Sequence, residues 1–138
     1  MSRIGLIGAI ALGGMAGALA RYGLSFPTSA WLPHWPFAGT LAANISGSLL
    51  VGAIAAWAIR RNPSVTLEGF LVTGFCGGFT TFSLFSLEMM TLLAQGHWRM
   101  AGAYGIGSIL GWMGAVWLGW TLGMALFPAR ETPHSDRT

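Results

Sequence analysis

The sequence predicts an all-α integral membrane protein with four transmembrane helices. Three observations carry that prediction. Charged residues make up only 8 % of the 138 positions and hydrophobic ones 54 %, where soluble domains carry about 25 % charge. The mean hydropathy is +0.62, as expected of a chain whose main solvent is lipid. Four apolar stretches also reach the roughly 20 residues that a spanning helix requires.

The first span covers residues 4–24 and follows Arg3. With its "ALA" at 18–20 before Arg21 it has the outline of a secretory signal peptide. Its apolar run is long for that role, and Gly13 and Gly17 stand at the spacing of closely packed membrane helices. A retained helix is the expectation. Pro27, Pro33 and Pro36 punctuate the next connector, and the second span covers 37–59 up to Asn62-Pro63. The third runs over 67–94 to Gln95-Gly96, and the fourth over 97–127 to Pro128. Residues 1–127 thus form a membrane domain, and 128–138 read as a disordered polar tail.

Small residues recur as Gly39/Ala43/Gly47 and Gly107/Gly111, which suits close helix–helix approach and self-association of a small subunit. Trp31, Trp35, Trp57 and Trp98 fall near span ends, where aromatic belts sit, while Trp112, Trp117 and Trp120 lie deeper and read as packing bulk. All seven basic residues are arginine. Five of them (Arg3, Arg60, Arg61, Arg130, Arg137) fall on the side of the termini and two (Arg21, Arg99) on the other, which favours termini inside. The arginines punctuate the spans rather than cluster, so nucleic acid is not an expected partner.

Enzyme classes find no support. Cys76 is the only cysteine, the histidines (His34, His97, His134) are far apart outside the spans or at their edge, and no hydrolase, nucleotide or dinucleotide motif is present. No organic cofactor is implied.

The informative stretch is "GFCGGFTTFSLFS" at 74–86. Gly77-Gly78 predicts a broken third helix. Inside hydrocarbon an unpaired backbone group costs several kcal/mol, so such backbone persists only when buried in protein or lining a hydrated cavity or ion site. Freed carbonyls suit a hard cation such as Na⁺. The hydroxyls of Thr80, Thr81, Ser83 and Ser86 and the free N–H groups of a restarting helix suit an anion. Phe82 and Phe85 share a helical face and offer ring edges of positive potential. Taken singly, these residues pack or back-bond to their own helix.

Further polar residues extend the pattern. Asn44 lies inside the second span with Ser48 one turn on, and Tyr104 and Ser108 are one turn apart in the fourth. Interhelical hydrogen bonding is their plainer role. Glu88 is the carboxylate set within a span and a functional candidate, with snorkelling to the interface as the alternative. Arg21 is expected to snorkel or to cap the first helix.

The block at 74–86, with "TLAANISG" upstream, closely resembles the Fluc (CrcB) family of small bacterial fluoride channels, and the likeness covers nearly the whole chain. The resemblance implies an antiparallel, dual-topology homodimer in the bacterial inner membrane. It implies passive export of cytoplasmic fluoride through two pores lined by both subunits. It further implies a central structural Na⁺ held by the backbone carbonyls of Gly77 and Thr80 from each chain. By the same resemblance Asn44, Phe82 and Phe85 line the pore. Thr81, Ser83, Glu88, Tyr104 and Ser108 form a polar track, and Arg21 is the family's first-helix arginine. Trp112 departs from the pattern, standing where a small hydroxyl residue is expected.

Two other classes compete. A small multidrug antiporter relies on an acidic residue in its first helix, and residues 4–24 contain no Asp or Glu. A non-transporting assembly subunit explains the small-residue seams but not the polarised break.

Overall fold

The computed structural model describes residues 3–31 and 35–128; the polar tail expected beyond Pro128 lies outside them. The described chain is helical: α1 (Arg3–Trp31), α2 (Ala38–Arg61), α3 (Val65–Glu68), a π-helical segment Gly69–Cys76, α4 (Gly77–Phe79), α5 (Phe82–Ala94) and α6 (Trp98–Leu126). Four of these stretches are long and apolar enough to cross a membrane: Arg3–Ser25, Ala38–Arg61, Val65–Ala94 and Trp98–Leu126. The chain is therefore a multi-pass membrane protein.

The ends are set by local chemistry. α1 continues past Pro27 to Trp31, beyond the expected end of the first span. α2 closes on Asn62 in the left-handed region (φ 47°, ψ 61°) before Pro63, with Arg60 and Arg61 in its last turn. Those charges meet the negative end of the helix dipole. The Ser64 side chain caps α3 by accepting from the Leu67 N–H. After α5, Gly96 (φ 77°) turns the chain back, with the His97 N–H donating to the Leu92 carbonyl at 2.9 Å.

The expected helix break is displaced from Gly77-Gly78. Gly77 keeps helical dihedrals (φ −64°, ψ −36°). The chain leaves the helix at Thr80 (φ −79°, ψ 158°) and Thr81 (φ −148°, ψ 118°). The glycines serve packing instead. A Cβ at Gly78 would overlap the Gly14 carbonyl oxygen, and one at Gly17 the Phe75 carbonyl oxygen. Removing those methyl groups lets α1 and the third span touch backbone to backbone.

A second seam joins α2 to α6. A Cβ at Gly52 would strike the Val116 carbonyl oxygen, and one at Gly119 the Leu49 carbonyl oxygen. This contact lies beyond the anticipated Gly107/Gly111 pair; a Cβ at Gly107 would meet nothing within 4 Å. The core is correspondingly lean, with Ala43 and Ala56 fully buried and large side chains such as Ile4, Leu19 and Leu126 turned outward. That is the pattern of a protein bathed in hydrocarbon, where small residues rather than apolar burial bring helices together.

Candidate functional site

The interruption at Thr80 and Thr81 organises the site. Asn44, 5 % exposed on α2, faces it with both ends of its amide. Its Nδ2 donates to the Thr81 carbonyl (2.9 Å), and the Thr81 N–H donates to its Oδ1 (2.7 Å). The side chain thereby takes the place of the helical partners that an extended residue lacks. Thr81 Oγ1 accepts from the Leu84 N–H at 3.3 Å, capping α5, and lies 3.2 Å from Ser83 Oγ.

Two carbonyls lose their usual donors as a result. The N–H of Thr81, four residues after Gly77, goes to Asn44, and the N–H of Leu84, four residues after Thr80, goes to the Thr81 hydroxyl. The carbonyls of Gly77 and Thr80 are thus released from helical pairing with those groups. Arg21 Nε donates to the neighbouring Gly78 carbonyl at 3.3 Å. Arg21 therefore ties the first span to the third just before the interruption, which replaces the snorkelling or self-capping expected of it.

Beyond the interruption, α5 aims Phe82, Phe85 and Glu88 along its course. Phe85 is buried at the centre of an aromatic group, its ring 5.6 Å from Phe82, 5.3 Å from Tyr104 and 4.9 Å, edge to face, from Trp112. Phe82 is 71 % exposed in the isolated chain. Glu88 does not snorkel: one carboxylate oxygen accepts from Thr40 Oγ1 and the other from the Tyr104 hydroxyl, both at 2.6 Å. These short bonds have the length of charge-assisted O–H···O⁻ contacts and join α2, α5 and α6 through one side chain.

A count of donors separates the members of the track. A tyrosine hydroxyl has one proton to donate, and that of Tyr104 goes to Glu88. Ser108 is 1 % exposed, and its Oγ, beside the Tyr104 hydroxyl, makes no well-formed hydrogen bond. One turn further on, the buried Nε1 of Trp112 also makes none. Tyr104, Ser108 and Trp112 follow one another at four-residue steps on one face of α6, spanning about 12 Å along its axis. At one end lies a cleft of about 320 Å³ that includes Phe37, Ile45, Tyr104 and Ser108 in its wall. At the other lies a cleft of about 300 Å³ lined by Asn44, Ser48, Thr80, Thr81, Phe82 and Trp112 among others.

Most residues anticipated from the sequence are therefore linked by contacts: Asn44 bonds to Thr81, Phe82 packs on Phe85, Phe85 on Tyr104, Tyr104 bonds to Glu88, and Ser108 shares a cleft wall with Tyr104. Ser83 is exposed and reaches only Thr81, and Ser86 back-bonds to the Phe82 carbonyl. Thr40 and the indole of Trp112 were not foreseen. Thr40, Asn44 and Ser48 recur at four-residue spacing on α2, a signal that was available. That of Trp112 was hidden, because an apolar ring in a membrane helix reads as packing.

The stretch that carries these residues also matches a known sequence family. Residues 8–120 match the family model described as "CrcB-like protein, Camphor Resistance (CrcB)". The chain belongs to the CrcB family. Among its relatives within CrcB is the "Fluoride-specific ion channel FluC" of Gloeobacter violaceus. It is 42 % identical over 120 residues, an alignment covering 85 % of this chain and 94 % of the relative. "Fluoride-specific ion channel FluC 2" of Moorella thermoacetica is 44 % identical over 124 residues, 86 % of this chain and 96 % of the relative. The FluC protein of Paracoccus denitrificans is 43 % identical over 118 residues, with 86 % and 94 % covered.

Proposed function

We propose that this protein is a fluoride channel and not an enzyme, letting cytoplasmic fluoride leave passively across the bacterial inner membrane. The names of its relatives support that reading. The observation that carries it is the pair of buried, unpartnered polar groups on α6, Ser108 Oγ and Trp112 Nε1, placed between two clefts. A lone ion in hydrocarbon is costly. Neutral donors compensate for lost hydration without trapping the ion as a lysine or arginine would.

The route runs from the cleft at Phe37 and Tyr104, past Ser108 and Phe85, to the cleft at Thr81. Glu88 positions Tyr104 and Thr40, while Ser108 and the second Nδ2 proton of Asn44 supply donors. Ring edges of Phe82 and Phe85 border the path with positive potential. A wall this narrow and rich in donors favours fluoride over the larger chloride. Negative-inside voltage drives the anion outward at roughly 2.3 kcal/mol per 100 mV.

A homodimer with two pores is part of the proposal. The cleft that carries Asn44, Ser48, Thr80 and Thr81 is open on one side, and polar backbone at membrane depth requires cover by protein rather than lipid. An antiparallel second copy, inserted in the opposite orientation, would provide it and would bring the exposed Phe82 into a shared wall.

A structural Na⁺ fits the same region. The Gly77 and Thr80 carbonyls, freed of their helical donors, are hard oxygen ligands, and two chains would contribute four. A cation bound there would offset part of the cost of an anion in low dielectric.

Efflux from liposomes under valinomycin tests the function. Rapid fluoride loss with chloride retained, and a crippled Phe82→Ile variant, are expected. Folded protein that passes no fluoride would overturn the channel and favour an assembly subunit.

A further inference from the structure

Within the hydrogen-bonding network between α2, α5 and α6, nearly every polar group is matched. Asn44 and Thr81 satisfy each other, and Glu88 takes Thr40 and Tyr104. Among the described residues the buried side-chain polar atoms without a partner are Arg60 Nε, in the last turn of α2, and Ser108 Oγ and Trp112 Nε1, which lie on adjacent turns of one face of α6. Both α6 atoms are closed off from surrounding solvent, so a partner as small as water or fluoride reaches them only when a neighbouring side chain shifts, and it then arrives largely stripped of water.

Trp112 is unlike its neighbour in one respect that matters. An indole N–H is a donor with no acceptor capacity, whereas a serine hydroxyl can do either. Trp112 can therefore satisfy its polar atom only with an acceptor, and an anion is the strongest one. The ring is also fixed by its edge-to-face contact with Phe85, at 4.9 Å between centroids. It shares the cleft wall with Asn44, Thr81 and Phe82. Donor direction and wall position are thus set together, which a freely rotating hydroxyl would not achieve.

We propose that Trp112 is a specificity-determining contact of the pathway: its Nε1–H donates to the dehydrated anion as the ion passes between Ser108 and the Thr81 cleft. The inference rests on the fluoride-channel reading and names a binding group within it. A tryptophan here extends the donor row by one turn. It confines the ion against Phe85 with a rigid plane, so the path narrows without losing hydrogen-bonding capacity.

The test uses the full chain reconstituted in lipid. Trp112→Phe keeps an aromatic ring and removes the N–H; Trp117→Phe, at a position 68 % exposed, is the control. Fluoride efflux is expected to fall on the order of tenfold in Trp112→Phe, as for loss of one hydrogen bond to a charged group, and to hold in Trp117→Phe. Independently, the Trp112 indole proton resonance of the wild-type protein in nanodiscs is expected to move downfield with sodium fluoride and not with sodium chloride. That resonance is assigned as the one missing from Trp112→Phe, or from Trp112→His should the first variant not fold. A resonance unmoved by fluoride in a wild-type protein that conducts it overturns the role of Trp112 and leaves the channel standing. Absence of wild-type fluoride efflux overturns the channel reading itself.

Discussion

Asn44 and Thr81, 37 residues apart, exchange two hydrogen bonds, with the Asn44 amide donating to the Thr81 carbonyl and accepting from its N–H. This reciprocal pair holds the third span open at the one place where its backbone is extended. Replacing Asn44 by Ala would leave a buried donor and a buried acceptor unmatched, each at about 1–3 kcal/mol. Asn44→Ala is expected to lower the denaturant midpoint in micelles by the equivalent of roughly 2 kcal/mol or more and to abolish fluoride efflux. An Asn44→Ala variant as stable as wild type would show that the pair does not hold the interruption.

Donor accounting ranks the α6 residues. The Tyr104 hydroxyl donates to Glu88, while Ser108 Oγ makes no well-formed hydrogen bond, so in the proposed channel its proton is the one available to the ion. Ser108→Ala should therefore slow fluoride efflux on the order of tenfold, and Tyr104→Phe should slow it less. The reverse order would mean that Tyr104 leaves Glu88 and meets the anion directly.

Glu88 accepts two bonds with two oxygens, and a glutamine has only one. Glu88→Gln is expected to strand Thr40 or Tyr104 and to cost about 1–3 kcal/mol in unfolding experiments. Thr40→Val combined with Glu88→Gln should cost less than the sum of the two changes, because one lost bond is shared. Strict additivity would place Glu88 outside this network.

The backbone seams make a steric prediction. Gly17→Ala and Gly119→Ala each drive a Cβ into a carbonyl oxygen of the facing helix, and overpacking of this kind costs about 1–3 kcal/mol. Gly102→Ala, where a Cβ would meet nothing within 4 Å, should be neutral or slightly stabilising through helix propensity. Thermal unfolding in detergent would check the contrast.

If carbonyls of Gly77 and Thr80 hold Na⁺, activity should depend on that ion and not on softer metals. Among the described residues no group of His, Cys, Asp or Glu could hold a metal. EDTA is therefore expected to leave fluoride efflux unchanged, and exhaustive dialysis into sodium-free N-methylglucamine buffer is expected to abolish it reversibly. Full efflux without sodium would remove the cation from the proposal.

Much of the molecule was legible in one dimension. Hydropathy and break residues located the four spans, because length and apolarity alone decide what can cross a bilayer. Glu88, Asn44 and Ser108 stood out because polar groups are expensive there. The interruption was misplaced by three residues, since the paired glycines read as a break when they are a packing surface. The chain leaves the helix there because Asn44, on another helix, offers the Thr81 N–H and carbonyl better partners, while the Thr80 N–H still donates to the Cys76 carbonyl.

The amino-acid sequence by itself determined a four-span membrane protein and the chemical character of the polar side chains within its spans, because both follow from local composition against a fixed hydrocarbon thickness. Tertiary structure decided which donors remain free. Tyr104 and Ser108 look equivalent in sequence, yet Glu88 takes the proton of one and leaves the other unpaired. Trp112 looks like bulk until its indole N–H is seen buried without a partner. Hydrogen-bond capacity is a property of each side chain, but its availability depends on what the neighbouring helices have already claimed.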